Sequence, residues 1–435
     1  MLVLYNLLCC LALARALPTP NNPRLGVEQD DDDDDTPMEY TVLLSPNQET
    51  PPEVLSVLAE LELTPESDNV YEVYNNSAFR GFSINASKVH RTMLRTMDTV
   101  GVLEKTVELT LAVEQRGGAP WGLERISTGS NGGAERGQRS TYAYDDSKLG
   151  TGSDIYIVDT GVYTQHSDFG GRATAGWPAT SGQDATDSDG HGTHVAGIAA
   201  SNSYGVASKA NIIGVRSLAG GSGTSSTVIG GLDFALQRHD TQKSRPGFVG
   251  SVISMSLSTP YGQKSQTFTN AVNAAVAAGV HVVVAAGNDG QNACEVSPAE
   301  AGGAKGKAIS VGSIGFDNTV SDFSNTGPCV DVYAPGEQIV STYINAPNAT
   351  AYLSGTSMAA PYVTGIVAYQ MARDPALAQD PAAMKEWMRQ HSLKGVVGGN
   401  VLKGDALLLA NNGVTVGPVM EAAREQLAAM AVDTV

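Results

Sequence analysis

Four short apolar runs, mostly β-branched, constrain this chain more than any other feature. They are Asp154 to Val158, Asn211 to Leu218, Val252 to Leu257 and Val280 to Ala286. Each is continuous rather than alternating, which is how a strand reads when helices cover both faces of its sheet. Helical spacing fills the intervals and follows them, over Ser226 to His239, Thr267 to Ala278, Ser357 to Ala372 and Pro381 to Gln390. The alternation predicts an α/β fold of three layers with a mostly parallel central sheet. At 435 residues with 42% hydrophobic content, the chain has material for one large core and an accessory piece.

That accessory piece is expected at the N-terminus. Met1 to Ala16 carries a leucine-rich run and a small-x-small end, the pattern of a secretory signal, and is too short to span a bilayer. Residues 17–37 hold the run Asp30 to Asp35 and read as a disordered, solvated linker rather than a calcium-collecting tail. Residues 38–113 predict a β-α-β-β-α-β module of the ferredoxin-like type, with helices at Pro52 to Leu63 and Ser87 to Thr96. Val89, Met93 and Leu94 are expected on the inner face of the second helix. Between Leu17 and Val113 there are 18 acidic and 6 basic residues, so this stretch carries most of the net charge of -18. Such a balance excludes nucleic acid as a partner, and no segment predicts membrane insertion. Residues 114–413 form the main domain, and 414–435 a tail with helical character.

Three blocks carry chemistry: Val158-Asp159-Thr160-Gly161, Asp189-Gly190-His191-Gly192-Thr193-His194 and Ser354-Gly355-Thr356-Ser357-Met358-Ala359-Ala360-Pro361. A serine hydroxyl is a weak nucleophile that needs a base, and the base needs an orienting group. Asp159 is expected at the carboxyl end of a strand, where sites in open α/β sheets gather. His191 opens a helix, with Gly190 and Gly192 leaving room for substrate. Ser357 precedes another helix, with Pro361 tolerated in its first turn. Helix N-termini offer free N–H groups to an anion. Val282 to Asn288 adds a strand ending in an amide. Alone, each residue has a plainer reading: a turn for Asp159 and Asn288, an N-cap for Ser357. His194 invites zinc, but its spacing of three from His191 with no intervening Glu departs from the pattern of helical zinc sites.

Together these blocks, in the order Asp, His, Ser, resemble the subtilisin-like serine proteases. Ala119 to Ile126 resembles the mature N-terminus of the proteinase K-like branch. The resemblance implies a secreted, monomeric serine endopeptidase that needs no cofactor for its chemistry. Asp159 would orient the base His191, Ser357 would be the nucleophile and Asn288 would donate to the oxyanion. A polypeptide substrate would lie as an added strand between Gly221-Ser222-Gly223 and Ser256-Leu257-Ser258. Small pocket walls at Ala285, Ala286 and Gly287 would favour an apolar side chain. Ser258, Thr259 and Pro260 depart from the Ser-Leu-Gly-Gly of many relatives and are expected to narrow that pocket. Asn76 to Phe82 resembles a stretch of subtilase propeptides, so residues 38–113 would be an intramolecular inhibitor and chaperone, released by self-cleavage at Val113–Glu114.

Cys9 and Cys10 leave with the signal, so Cys294 and Cys329 form an even pair in an exported chain and are expected to be bridged, as in some proteinase K-like enzymes. Asp331 matches a calcium ligand of the family, although the loop Ala301 to Lys307 is lengthened. Asp184, Asp187 and Asp189 read either as a second oxygen-ligand cluster or as a solvated acidic turn. Asn75, Asn85 and Asn348 begin glycosylation sequons. The rival classes are a catalytically silent peptide binder with the same cleft, and an N-terminal module that binds in its own right.

Overall fold

The structure, a computed structural model, describes residues 36–45, 53–75, 80–105, 114–129, 140–178 and 184–414. The signal, the acidic run, the Val113 side of the expected cleavage point and the C-terminal tail lie outside the described residues, as do Asn76 to Phe79. Two compact units divide the chain, Met1–Thr110 and Leu111–Val435.

In the first unit the order is β1 (Met38–Leu44), α1 (Val54–Glu60), β2 (Val70–Asn75), β3 (Arg80–Ala86), α2 (Lys88–Thr96) and β4 (Val100–Lys105). The sheet order β2-β3-β1-β4 with antiparallel neighbours is the expected ferredoxin-like arrangement. Alternate residues Tyr40, Val42 and Leu44 of β1 meet Phe82 and Ile84 of β3 and Val57 and Leu58 of α1 in one core. Val89, expected on the inner face of α2, faces solvent instead at 66% exposure, and Leu55 on α1 is 56% exposed. On α2 Leu94 is buried as expected, and beside it Arg91 is buried too, its guanidinium donating to the Ala86 and Thr36 carbonyls at 3.1 and 3.2 Å. A long side chain with satisfied donors covers the sheet there, which no apolar periodicity signals.

The second unit opens with a hairpin, β5 (Glu114–Ala119) and β6 (Ser140–Tyr144), around the short α3 (Trp121–Arg125). Then follow β7 (Ser153–Asp159), β8 (Ala173–Pro178), α4 (His191–Ala200), β9 (Asn211–Arg216), α5 (Ser225–Gln242), β10 (Gly250–Met255), α6 (Gln266–Ala277) and β11 (His281–Ala285). The chain continues through β12 (Ile309–Ile314), β13 (Val332–Pro335), the hairpin β14 (Ile339–Thr342) and β15 (Thr350–Leu353), then α7 (Thr356–Arg373). It ends with α8 (Pro375–Ala378), α9 (Pro381–His391), β16 (Leu393–Lys394) and β17 (Leu408–Leu409).

Nine strands form one sheet in the order β16-β17-β13-β12-β11-β10-β7-β9-β8, parallel except for the β16–β17 edge pair. Alternation along each strand splits its side chains between two cores. Ile155, Ile157, Val252 and Val283 pack with α4 and α7, while Tyr156, Val158, Ile253 and Val284 pack with α5 and α6. Three layers result, as the apolar runs predicted. Strands β12 and β13 were not legible beforehand. Ser310, Gly312 and Ser313 dilute the first, and the second is four residues long.

Candidate active site

Asp159 is the last residue of β7 and fully buried. Its Oδ1 accepts the His191 Nδ1–H at 2.7 Å and the Thr160 main-chain N–H at 2.7 Å. Because a carboxylate only accepts, the shared proton lies on Nδ1, which leaves Nε2 as the basic nitrogen of the neutral ring. His191 is the first residue of α4, behind Gly190 at φ 109°. The approach to it is shaped by Asp187, whose Oδ1 accepts from Thr160 Oγ1 and the N–H groups of Asp189 and Gly190, each at 2.9 Å. Its Oδ2 accepts from the Thr193 N–H at 2.9 Å and the Thr193 hydroxyl at 2.6 Å. Thr160 Oγ1 in turn accepts the Gly192 N–H at 2.9 Å. One buried carboxylate therefore sets the turn that presents the imidazole to Asp159.

Burial by itself would keep the imidazole neutral. The charge and hydrogen bond of Asp159, reinforced by Asp189 and Asp187, outweigh it and raise His191 above its ordinary range. The flanking glycines serve packing rather than substrate access. A side chain at Gly192 would overlap the Gly161 carbonyl against Asp159, and one at Gly190 would overlap the Tyr343 ring. His194 lies behind the site, fully buried. Its Nε2 is 3.0 Å from the carbonyls of Ile339 and Ala351, and burial lowers it to about 4. It is a neutral post tying α4 to the β14–β15 hairpin, not a metal ligand.

Ser357 is the second residue of α7, not the residue before it, so Pro361 falls inside the helix rather than in its first turn. Proline has no N–H to give the carbonyl four residues back, and that carbonyl belongs to Ser357. The Ser256 hydroxyl takes the vacant position, donating to the Ser357 carbonyl at 2.8 Å. The Ser357 hydroxyl donates to the Ser256 carbonyl at 3.3 Å. The two serines thus hold each other across the ends of β10 and α7.

Asn288 stands three residues past the end of β11, exposed. Its Oδ1 accepts from the Thr356 N–H at 2.9 Å and the Thr356 hydroxyl at 2.8 Å. A main-chain N–H can only donate, so this contact fixes the amide orientation and leaves Nδ2 free. The Ser357 N–H has no protein acceptor among the described residues. A Cβ placed at Gly355 would sit 3.6 Å from both Asn288 Nδ2 and the Ser357 nitrogen. Two spare donors therefore flank one point beside the serine.

The Subtilase family matches residues 150–413, the span that contains all of these groups. The chain belongs to the subtilase family. Its enzyme class is that of a hydrolase, a subtilisin-like serine protease. Cerevisin of Saccharomyces cerevisiae is 39% identical over 350 residues, 77% of this chain and 53% of that protein. Subtilisin-like protease 2 of Pseudogymnoascus destructans is 40% identical over 354 residues, 80% of this chain and 82% of its own. Among solved structures, a cold adapted subtilisin-like serine proteinase superposes with TM-score 0.57 at 35% identity, covering 68% of this chain and 98% of the other.

The remaining sequence-derived residues of this subtilase lie at or after the carboxyl ends of β9, β10 and β11. Gly221, Ser222 and Gly223 are exposed; Ser222 exchanges main-chain bonds with Ala219 at 2.8 and 3.3 Å. Ser256 is buried, Leu257 half-buried and Ser258 exposed. What holds the unusual Ser-Thr-Pro segment is Thr259: its N–H donates to the Ser297 carbonyl at 2.8 Å and its hydroxyl accepts the Ser297 N–H at 2.9 Å. Ala285, Ala286 and Gly287 are buried. Asn325 fastens the turn they lead into. It donates to the Ala286 carbonyl at 3.0 Å and accepts from the N–H groups of Asp289 and Gln291 at 3.0 and 2.9 Å. Asn325, Thr356, Thr160 and Asp187 were not identified in these positioning roles by sequence reasoning, since the first three act through partners far away in the chain and Asp187 joins a local turn to the distant Thr160. Cys294 and Cys329 are bridged, with Cα atoms 5.3 Å apart, tying the loop after Asn288 to the approach to β13.

The cation expectations are corrected. Asp187 is saturated by five protein donors, Asp184 Oδ1 accepts from the Thr186 N–H and hydroxyl, and Asp189 Oδ1 accepts from the His191 N–H. Among the described residues no cluster of three or more His, Cys, Asp or Glu could hold a metal ion. Asp331 is buried, and its Oδ2 accepts from the N–H groups of Gly303 and Ser310 and pairs with the Lys385 ammonium at 3.1 Å. Calcium does not fit there, because a lysine nitrogen holds the place.

Proposed function

We propose that this subtilase is made as a secreted zymogen and cleaves peptide bonds through an acyl-enzyme on Ser357, preferring apolar side chains before the cleaved bond. The observation that carries the reading is the 2.7 Å bond between buried Asp159 and His191, combined with the two spare N–H donors flanking Gly355 beside Ser357. Substrate enters as a strand between residues 221–223 and 256–258. The Ser357 hydroxyl turns from the Ser256 carbonyl to His191 Nε2 and loses its proton as Oγ attacks the substrate carbonyl. The oxygen that gains charge is received by the Ser357 N–H and Asn288 Nδ2; losing one such donor in a subtilisin costs roughly 3–4 kcal/mol of barrier. Asp159 stabilises the imidazolium, which passes its proton to the departing amine. Water, deprotonated by the same imidazole, then releases the acid product. No cofactor enters these steps.

The small walls at Ala285, Ala286 and Gly287 support an apolar preference, and Val113 before the expected self-cleavage point agrees with it. The ferredoxin-like topology of the first unit supports an inhibitor and chaperone role for residues 38–113. Secretion rests on the signal-like Met1 to Ala16. Among the described residues, no helix is long and apolar enough to cross a membrane. Asn75 and Asn348 are exposed and Asn85 half-buried, which makes the first and third sequons the ones open to glycan transfer.

Labelling with a fluorophosphonate tests the chemistry. The expected result is one adduct on Ser357, absent from Ser357→Ala and from His191→Ala. An unlabelled, folded wild-type chain points instead to a silent peptide binder. Zymogen processing is tested by the full chain: wild type should be shortened to a product beginning near Glu114, while Ser357→Ala stays full length. Product sequencing on denatured protein reads the side-chain preference.

A further inference from the structure

Lys385 reaches from α9 into a ring of oxygens. Its Nζ is 2.8 Å from the Gly303 carbonyl, 3.0 Å from that of Gly306, 2.6 Å from that of Ala308 and 3.1 Å from Asp331 Oδ2. The Asp331 side chain is 1% exposed and that of Lys385 only 11%. Arg389, one turn further along α9, pairs with the other carboxylate oxygen at 3.5 Å. Three carbonyls aimed at one buried point repel each other and lack water to satisfy them, so the arrangement stands only around a donor or a cation. An ammonium supplies three N–H groups, one for each carbonyl, and Asp331 balances its charge. The separations suit an ammonium; a calcium ion draws oxygens to about 2.3–2.6 Å.

We propose that Lys385 is a built-in structural cation, which fastens the loop between Ala301 and β12 to α9 without a metal ion. The place that the family resemblance gives to calcium beside Asp331 is thereby filled by the chain itself. Truncating the side chain would leave the oxygens without a partner and open a cation-binding cavity. A groove of about 620 Å³, lined in part by Val276, Ala277, Asp380, Glu386 and Arg389, adjoins Lys385 and gives an ion its entry.

Thermal melting in a Ser357→Ala background, which removes self-digestion, tests this independently of any catalytic reading. Lys385→Met, of similar length but neutral, should melt roughly 5–10 °C below the parent in EDTA. Lys385→Arg, which keeps the charge, should lie between them. Lys385→Ala should also fall in EDTA and should regain about half of its loss in millimolar CaCl2, beyond any shift calcium gives the parent. The proposal is overturned if Lys385→Met melts with the parent, or melts above Lys385→Arg. It is equally overturned if Lys385→Ala responds to calcium no more than the parent does.

Discussion

Replacing Asp187 with asparagine tests whether this carboxylate is a hydrogen-bond hub or an ion ligand. The wild-type oxygens accept five bonds, three on Oδ1 and two on Oδ2. An amide keeps one acceptor oxygen and turns the other into a donor. With its oxygen in the Oδ1 position, the NH2 group meets Thr193; the hydroxyl can rotate to accept, but the main-chain N–H cannot. The opposite orientation strands two N–H groups, on Asp189 and Gly190, so the first is preferred. One stranded, buried N–H costs about 1–3 kcal/mol, and the surviving bonds lose their charge assistance. The sum is about 3 kcal/mol, or roughly 6 °C in melting temperature. Because Gly190 and, through Thr160, Gly192 flank His191, kcat should fall about tenfold with KM little changed. Melting of the Ser357→Ala chain with and without Asp187→Asn, in EDTA and in CaCl2, gives the stability readout; steady-state cleavage by the active chain gives the rest. The reasoning fails if the variant melts together with its parent. It fails also if EDTA destabilises the parent and the substitution abolishes that response, for then Asp187 was holding an ion.

The elevated His191 predicts that kcat/KM falls as pH drops through its pKa, since the protonated ring cannot act as base. Asp189→Asn removes one of the charges that raise it while an amide oxygen can still accept the His191 N–H, so the acid limb should move to lower pH; a limb that stays or moves upward contradicts this. Ser256→Ala deletes the donor that occupies the carbonyl freed by Pro361, and should lower kcat about tenfold through a loosened Ser357. Unchanged turnover would show that the helix end needs no such support. Replacing Cys294 and Cys329 together by alanine opens a link across 35 residues and should cost about 3–4 kcal/mol, seen as earlier melting under oxidising conditions. Equal melting would place the loop's rigidity elsewhere, with Asn325.

The three-layer arrangement and the start of α4 were legible because their signals are local. Unbroken β-branched runs mark doubly covered strands, and Gly190 marks the backbone break before His191. Ser87, Thr224 and Ser265 cap their helices by the same short-range logic. Strand β12 was missed because serine and glycine face its buried sides. Pro361 was assigned to a first turn because nothing in the sequence says that α7 opens at Thr356. Asp187 was read with Asp184 and Asp189 as an oxygen-ligand cluster or a solvated acidic turn, when its neighbours in space include Thr160 and Thr193.

From its residues alone, this chain determined the α/β class, the small N-terminal module, and the acid, imidazole and hydroxyl in their order. Those are properties of periodicity and of side-chain chemistry, which travel with the sequence. Only the tertiary structure decided what each oxygen is bound to: Asp187 by a turn, the Ser357 carbonyl by Ser256, and Asp331 by a lysine more than fifty residues away. A carboxylate or carbonyl takes whichever donor the packed fold brings to it, and sequence spacing does not carry that choice.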